Sequence, residues 1–174
     1  MGTHTAALVI NAQRELDIES ALATHRDGIV KYCYSLLLDY HEAQDAAQDV
    51  LLAAMQSATT LRDSSAIGSW LYRIAYNRCM NILKRRKLYN LFLRKEAAET
   101  DAGVYEDNYS FGISRELQAA LSTLSHKDRA LVYSRAVDEM DYSQLEEIYG
   151  TKAATLRKRY ERARRKLEDI LRKG

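Results

Sequence analysis

The chain has 174 residues, 47% hydrophobic and 29% charged, with 26 Lys and Arg against 24 Asp and Glu, two cysteines and no proline. Such a length and composition fit one ordinary globular domain or two small ones. They exclude a helical membrane span, because the longest apolar runs fall far short of the roughly 20 residues that a bilayer requires.

No basic stretch precedes an apolar block at the N-terminus, so no secretory signal is read and a cytoplasmic protein, without direct membrane insertion, is expected. Cys33 and Cys79 each fall on an apolar helical face and are expected as buried free thiols. His4, His25, His41 and His126 lack ligand spacing, so neither a metal site nor a cofactor is expected.

With seven glycines and little period-two alternation, nearly every long window reads as helix, and the fold class is all-α. A weak helix is predicted over 8–22, where the apolar spacing is irregular. Next comes an amphipathic helix with Ile29, Val30, Cys33, Leu36 and Leu37, then another with Ala43, Ala47, Val50, Leu51, Ala54 and Met55. The following helix is SSAIGSWLYRIAYNRCMNILKRRK, in which Trp70, Leu71, Ile74, Ala75, Arg78 and Ile82 recur at three- and four-residue steps and predict a core-facing stripe. Between them lie Tyr72, Arg73, Tyr76, Asn77 and Asn81, and the segment closes on Lys84, Arg85, Arg86 and Lys87. Planar rings, amides and cations together suit unpaired bases beside a phosphate backbone.

At 95–112 the helical pattern breaks, one lysine meets five acids, and an acidic linker is expected. Residues 1–94, 95–112 and 113–174 carry net charges of +2, −4 and +4. Two small basic helical domains joined by an acidic strap are therefore predicted, the first over 1–94 and the second over 113–174.

In the second domain, Leu117, Leu121 and Leu124 mark one helix, and Ala130, Leu131, Tyr133 and Val137 the apolar face of another. Ser143 and Glu146 have capping-box spacing ahead of the anchors Leu145 and Ile148, and Gly150 suits a left-handed helix end. Thr151 is then expected to cap a last helix whose apolar side holds Leu156, Tyr160, Ala163, Leu167, Ile170 and Leu171. Its other side carries Arg157, Lys158, Arg159, Arg162, Arg164, Arg165 and Lys166. A short helix, a glycine turn and a long basic helix form the helix-turn-helix arrangement, whose second helix enters the major groove.

In this order, the two halves resemble a bacterial RNA polymerase sigma factor of the extracytoplasmic-function group of the sigma-70 family. HRDGIVKYCYSLLLDYHEAQDAAQDVLLAA with LRDSSAIGSWLYRIAYNRCMNILKRRK is similar to the family's region 2, the WLYRIAYN block most specifically. ALSTLSHKDRALVYSRAVDEMDYSQLEEIYGTKAATLRKRYERARRKLEDIL is similar to region 4.

The resemblance implies a non-enzymatic specificity subunit that binds bacterial core RNA polymerase and promoter DNA, controlled by an anti-sigma factor. It implies that Asp45, Gln48 and Asp49 face a coiled coil of the polymerase. Asp63, Ser64 and Ser65 would line a pocket for a flipped base of the minus-ten element. Arg73, Asn77 and Asn81 would reach bases or backbone there, with Trp70 divided between core and stacking. For the minus-thirty-five element the resemblance points to Arg157, Lys158, Glu161 and Arg162, with Lys152 and Thr155 at the approach; an arginine can bond a guanine edge and a glutamate can accept from cytosine. It also places Glu146 where a small residue is usual, so that side chain must turn outward or splay the helix pair. Leu91, Phe92 and Phe111 could join a partner surface or pack internally. A stand-alone helix-turn-helix regulator is the alternative; it would need neither WLYRIAYN nor polymerase. An enzyme would need a nucleophile and base, a metal cluster or a phosphate loop, and none is read here.

Overall fold

The computed structural model describes residues 2–57, 61, 64–96 and 114–173. Among them there is helix and no strand, in agreement with the all-α expectation. The acidic segment that the sequence suggests as a linker, and Phe111 within it, lie outside the described residues.

Helix α1 (Gly2–Leu37) is one continuous helix where the sequence suggests a weak helix and a separate stronger one. Its first buried side chain among those described is Ile18, and Leu8, Val9 and Ile10 are exposed. The irregular apolar spacing thus belongs to a solvated extension of a helix that docks only through its second half. The turn after α1 takes two residues: Leu38 adopts φ 54°, and the Asp39 carboxylate accepts the Glu42 backbone N–H at 2.8 Å to start α2 (Tyr40–Ser57). A short 3-10 turn (Ser64–Ala66) leads into α3 (Ile67–Glu96).

Helices α1, α2 and α3 bury a common core of Ile29, Cys33, Leu36, Ala43, Ala47, Val50, Leu71, Ala75 and Cys79. Helices α1 and α3 run parallel, with His25 beside Gly68 and, twelve residues further along α1, the carbonyl of Leu37 taking a hydrogen bond from Arg86. Gly28 allows this approach, because a Cβ there would lie 2.9 Å from the Tyr72 phenol oxygen. Four residues read from the sequence as apolar-face or stripe positions prove otherwise. Met55, Val137 and Leu171 are exposed, and Arg78 leaves the core to pair with Asp49, while its neighbour Cys79 takes the buried place.

The second group consists of α4 (Arg115–Ser122), α5 (His126–Ala136), α6 (Tyr142–Tyr149) and α7 (Ala153–Lys173). Leu121, Leu124, Val132, Ala163 and Leu167 fill one small core, and Leu131, Leu145 and Leu156 a second. Ser114 and Ser125 cap α4 and α5 by accepting the N–H of Leu117 and Asp128. The cap of α6 differs from the sequence expectation: Asp141 accepts from Gln144 N–H, and the Gln144 side chain returns to the Asp141 N–H. Ser143 instead donates to Asp141 at 2.6 Å, and Glu146 points into solvent. Gly150 ends α6 at φ 60°, as its position suggested. Thr151 does not cap α7; its hydroxyl donates to the Tyr149 carbonyl, and the Lys152 carbonyl receives the first turn of α7.

The two helical groups pack together. Ala130, Tyr133 and Ile148 belong to the same buried cluster as the α1–α3 core. Here α5 lies against α1, and α6 against α3.

Candidate nucleic-acid interface

One turn of helix covers 3.6 residues, so side chains three, four and seven apart share a ridge. On α3 the ridge of Arg73, Asn77, Asn81 and Lys84 is exposed along its length. Trp70 heads this ridge and is half-buried against the core, in keeping with a divided role. The structure therefore brings Trp70, Arg73, Asn77 and Asn81 together. Ser65 stands exposed at the foot of the helix; Asp63 and the Ser64 side chain lie outside the described residues.

Tyr72 and Tyr76 do not join this face. Tyr72 is buried, and Tyr76 sets its ring edge-on to Tyr149 with centroids 4.9 Å apart. They occupy the opposite side of α3, where α6 packs. The planar groups in WLYRIAYN thus serve two surfaces, a distinction that spacing would have revealed, since 72 and 76 are out of phase with 73, 77 and 81.

On α2, Asp45 and Gln48 are exposed, and Leu52 and Met55 continue their ridge as bare apolar side chains. Leu52 was not singled out by sequence and Met55 was read as a core position, although their spacing from Asp45 and Gln48 could have placed both on this ridge. Asp49, on the edge of that ridge, is tied to Arg78 of α3. Its carboxylate is committed within the bundle, although both partners stay partly exposed.

The positions assigned on α7 split into two ridges. Thr155, Lys158 and Arg162 lie on one, which Arg165 continues, and all are exposed. Arg157, Glu161, Arg164 and Glu168 lie on the other, where Arg164 reaches Glu161 at 3.2 Å and Glu168 at 2.9 Å. The Arg157 guanidinium sits 4.9 Å from the centre of the Tyr142 ring. Lys152 is exposed at the start of the helix. Arg159 is drawn away altogether: it makes two hydrogen bonds to the Asp128 carboxylate, at 2.7 and 3.1 Å. Burial tends to raise the Asp128 carboxyl, but the Ser125 and Arg159 bonds overcome it and hold the pKa below the usual value. Lys166 is likewise engaged, with the Thr123 carbonyl at 2.7 Å.

Among the described residues, the cations Lys158, Arg162 and Arg165 have no partner and share one ridge of α7 behind the Gly150 turn, the geometry of a helix presented to a major groove. Two models of the same family match this chain: "Sigma-70 region 2" over residues 22–89 and "Sigma-70, region 4" over residues 114–167. The chain belongs to the sigma-70 family of RNA polymerase sigma factors, in its extracytoplasmic-function group.

Among relatives in that group, the ECF RNA polymerase sigma factor SigW of Bacillus subtilis is 27% identical over 160 residues, spanning 85% of each chain. SigM of Mycobacterium tuberculosis is 32% identical over 132 residues, covering 75% of this chain and 64% of that one. The fold matches the sigma factor RpoE solved in complex with the anti-sigma factor NepR from Bartonella quintana, with a TM-score of 0.74, 20% identity and coverage of 90% of this chain and 97% of that one. The matched stretches put region 2 of this sigma factor on the α1–α3 bundle over residues 22–89 and region 4 on α4–α7 over residues 114–167. No described helix of it is long and apolar enough to cross a membrane.

Proposed function

We propose that this sigma factor binds core RNA polymerase through the α2 ridge and directs it to promoters by two DNA-binding faces. The observation that carries this reading is the pairing, in one chain, of an exposed Arg73–Asn77–Asn81 ridge with a free cationic ridge on α7. Amides and an arginine beside Trp70 suit the melted strand of a minus-ten element, with Asp63, Ser64 and Ser65 at the mouth of the base pocket. Thr155, Lys158 and Arg162 suit the edges of a minus-thirty-five element, and Lys152 the phosphates beside it. Arg157 and Glu161 act as secondary contacts, because each already has a partner within the protein.

On the polymerase side, Asp45 and Gln48 supply polar contacts around an apolar centre of Leu52 and Met55, the composition of a protein interface core within a polar rim. Asp49 contributes by holding α2 against α3. The domain limits follow as 1–94 and 113–174, with the acidic segment between them as the tether. The protein works in the cytoplasm as a specificity subunit rather than as an enzyme. An anti-sigma factor restrains it, as the complex formed by its structural neighbour suggests.

Transcription by purified bacterial core polymerase on a promoter library, with RNA starts sequenced with and without the protein, tests this reading. Specific starts that require the protein, preceded by two shared sequence elements, are expected. Duplex binding with no core association and no starts would overturn it in favour of a stand-alone regulator.

A further inference from the structure

The contact between regions 2 and 4 is built largely from tyrosines around one carboxylate. Tyr149, at the end of α6, bonds the Tyr32 hydroxyl of α1 at 2.9 Å and the Ser134 hydroxyl of α5 at 2.8 Å. Tyr32 also meets the edges of Tyr72 and Tyr133, with centroids 5.0 and 6.0 Å apart. At the margin, Arg129 of α5 donates to the Leu36 carbonyl at 3.0 Å, and Gln118 of α4 to the Tyr34 hydroxyl at 3.3 Å. Asp138, just beyond α5, faces the Tyr72 phenol of α3 across the contact. Its Oδ2 is buried without a hydrogen-bond partner. A charged carboxylate with a dry oxygen opposes the contact that encloses it, whereas a protonated one does not.

This packed arrangement cannot engage both promoter elements. The names of the elements place them about 25 base pairs apart, or about 85 Å at about 3.4 Å per pair, while the longest helix, α1, spans about 54 Å. The 17 residues between Glu96 and Ser114 reach at most about 60 Å, which supplies the difference once the regions part. Closure also covers the Tyr72 and Tyr76 side of α3.

We propose that closure of region 4 onto region 2 is a proton-coupled, self-inhibiting equilibrium of this sigma factor, with Asp138 as the titrating group and Tyr149 as the plug. The inhibitory meaning of closure rests on the function proposed above; the conformational equilibrium itself does not. The groups facing Asp138 are Tyr72 from α3, Lys31 from α1, Tyr149 from α6 and Tyr133 from α5. Burial pushes its carboxyl up from 3.8 to about 6, against the smaller opposing effects of the Tyr72 phenol and the Lys31 charge. Since the pKa is higher in the closed form, protons favour closure. The added stability of the closed form is fully present below the open-form value near 4 and is lost as pH rises through about 6. His126 of α5 works in the opposite sense: burial and the charges of Arg129 and Arg86 lower its pKa, so protonating it opposes closure.

Energy transfer between dyes on Gln56→Cys of α2 and Arg172→Cys of α7, both exposed, reads the closed fraction, and the native thiols are too buried to label. In a His126→Gln background, the closed-to-open ratio is expected to fall about tenfold from pH 5 to pH 8. Adding Asp138→Asn should abolish that dependence and keep the chain closed throughout. Tyr72→Phe, which removes the phenol that favours the charged form, should move the midpoint to higher pH. A ratio that does not change with pH, or one that changes equally with Asp138→Asn, overturns the proposal. This readout needs neither polymerase nor promoter. Its failure therefore leaves the functional reading standing, and an absence of promoter starts would leave the equilibrium standing.

Discussion

Arg129 is a buried cation surrounded by carbonyl oxygens, bonding those of Leu36 and Leu121 at 3.0 Å and those of Ser122 and Leu124 at 3.5 Å. Burial lowers its pKa to about 10, so it stays charged at neutral pH. Replacing it by Met strands acceptors at the ends of α1 and α4, and a loss of about 3 kcal/mol is expected in urea unfolding. Arg129→Lys should recover little, because an ammonium cannot reproduce the planar fork. Arg162 is the opposite case, an exposed guanidinium aimed outward from α7. Arg162→Ala should cost about 1–3 kcal/mol on the cognate minus-thirty-five sequence and much less on a scrambled one. Arg157→Ala should show little such discrimination; equal losses for both variants in titrations of the two duplexes would refute the ridge assignment. Sequence identified Arg162 from its place in a basic helix, but it gave no sign that Arg129 would be buried. Arg129 stands in an ordinary helical segment, and its partners are backbone atoms that carry no side-chain signature.

The short helix α6 is specified by its ends. Asp141 and Gln144 satisfy each other's backbone N–H groups at the start, and Gly150 turns the chain at the finish. Asp141→Ala should therefore destabilise region 4 by about 1 kcal/mol, while Glu146→Ala leaves stability almost unchanged. Gly150→Ala should cost about 1 kcal/mol from backbone strain alone, since nothing lies within 4 Å of the added Cβ. Thermal unfolding of the three variants checks the order, and an effect of Glu146→Ala as large as that of Asp141→Ala would contradict this cap. Both Asp141 and Ser143 are good caps with an amide or acid three residues later, so spacing alone left two registers open. The helix and its turn were legible, and only the packing of Leu145 and Ile148 fixed the register. In α1 the sequence underestimated helix length for a related reason: a solvated extension keeps helical geometry without keeping an apolar stripe.

At the scale of the whole molecule, regions 2 and 4 share buried side chains, and Tyr149 lies at their centre. The intact protein is expected to unfold in one cooperative calorimetric transition. Tyr149→Ala, which removes a ring and two hydroxyl contacts, should resolve it into two. A single transition in the variant would show that the regions are coupled through other contacts. The sequence divided the chain into two helical halves and assigned candidate DNA-facing residues to each. It could not show that the halves share a core, because Tyr32 and Tyr149 are 117 residues apart and no periodicity links them. Even the tyrosines of WLYRIAYN were read toward DNA, since an aromatic ring suits a base and a neighbouring helix equally well.

The last turn of α1 is finished by two arginines that the chain acquires at different times. Arg86 of α3 binds the Leu37 carbonyl and Glu42, and Arg129 binds the Leu36 carbonyl. During synthesis the second follows the first by 43 residues, a delay of roughly 2–9 s at ribosomal speed. Region 2 can therefore fold with its own arginine in place while region 4 is still being made. Each new molecule passes through an interval in which the surface that Tyr149 later occupies is bare, so region 2 is first made in an uncovered form.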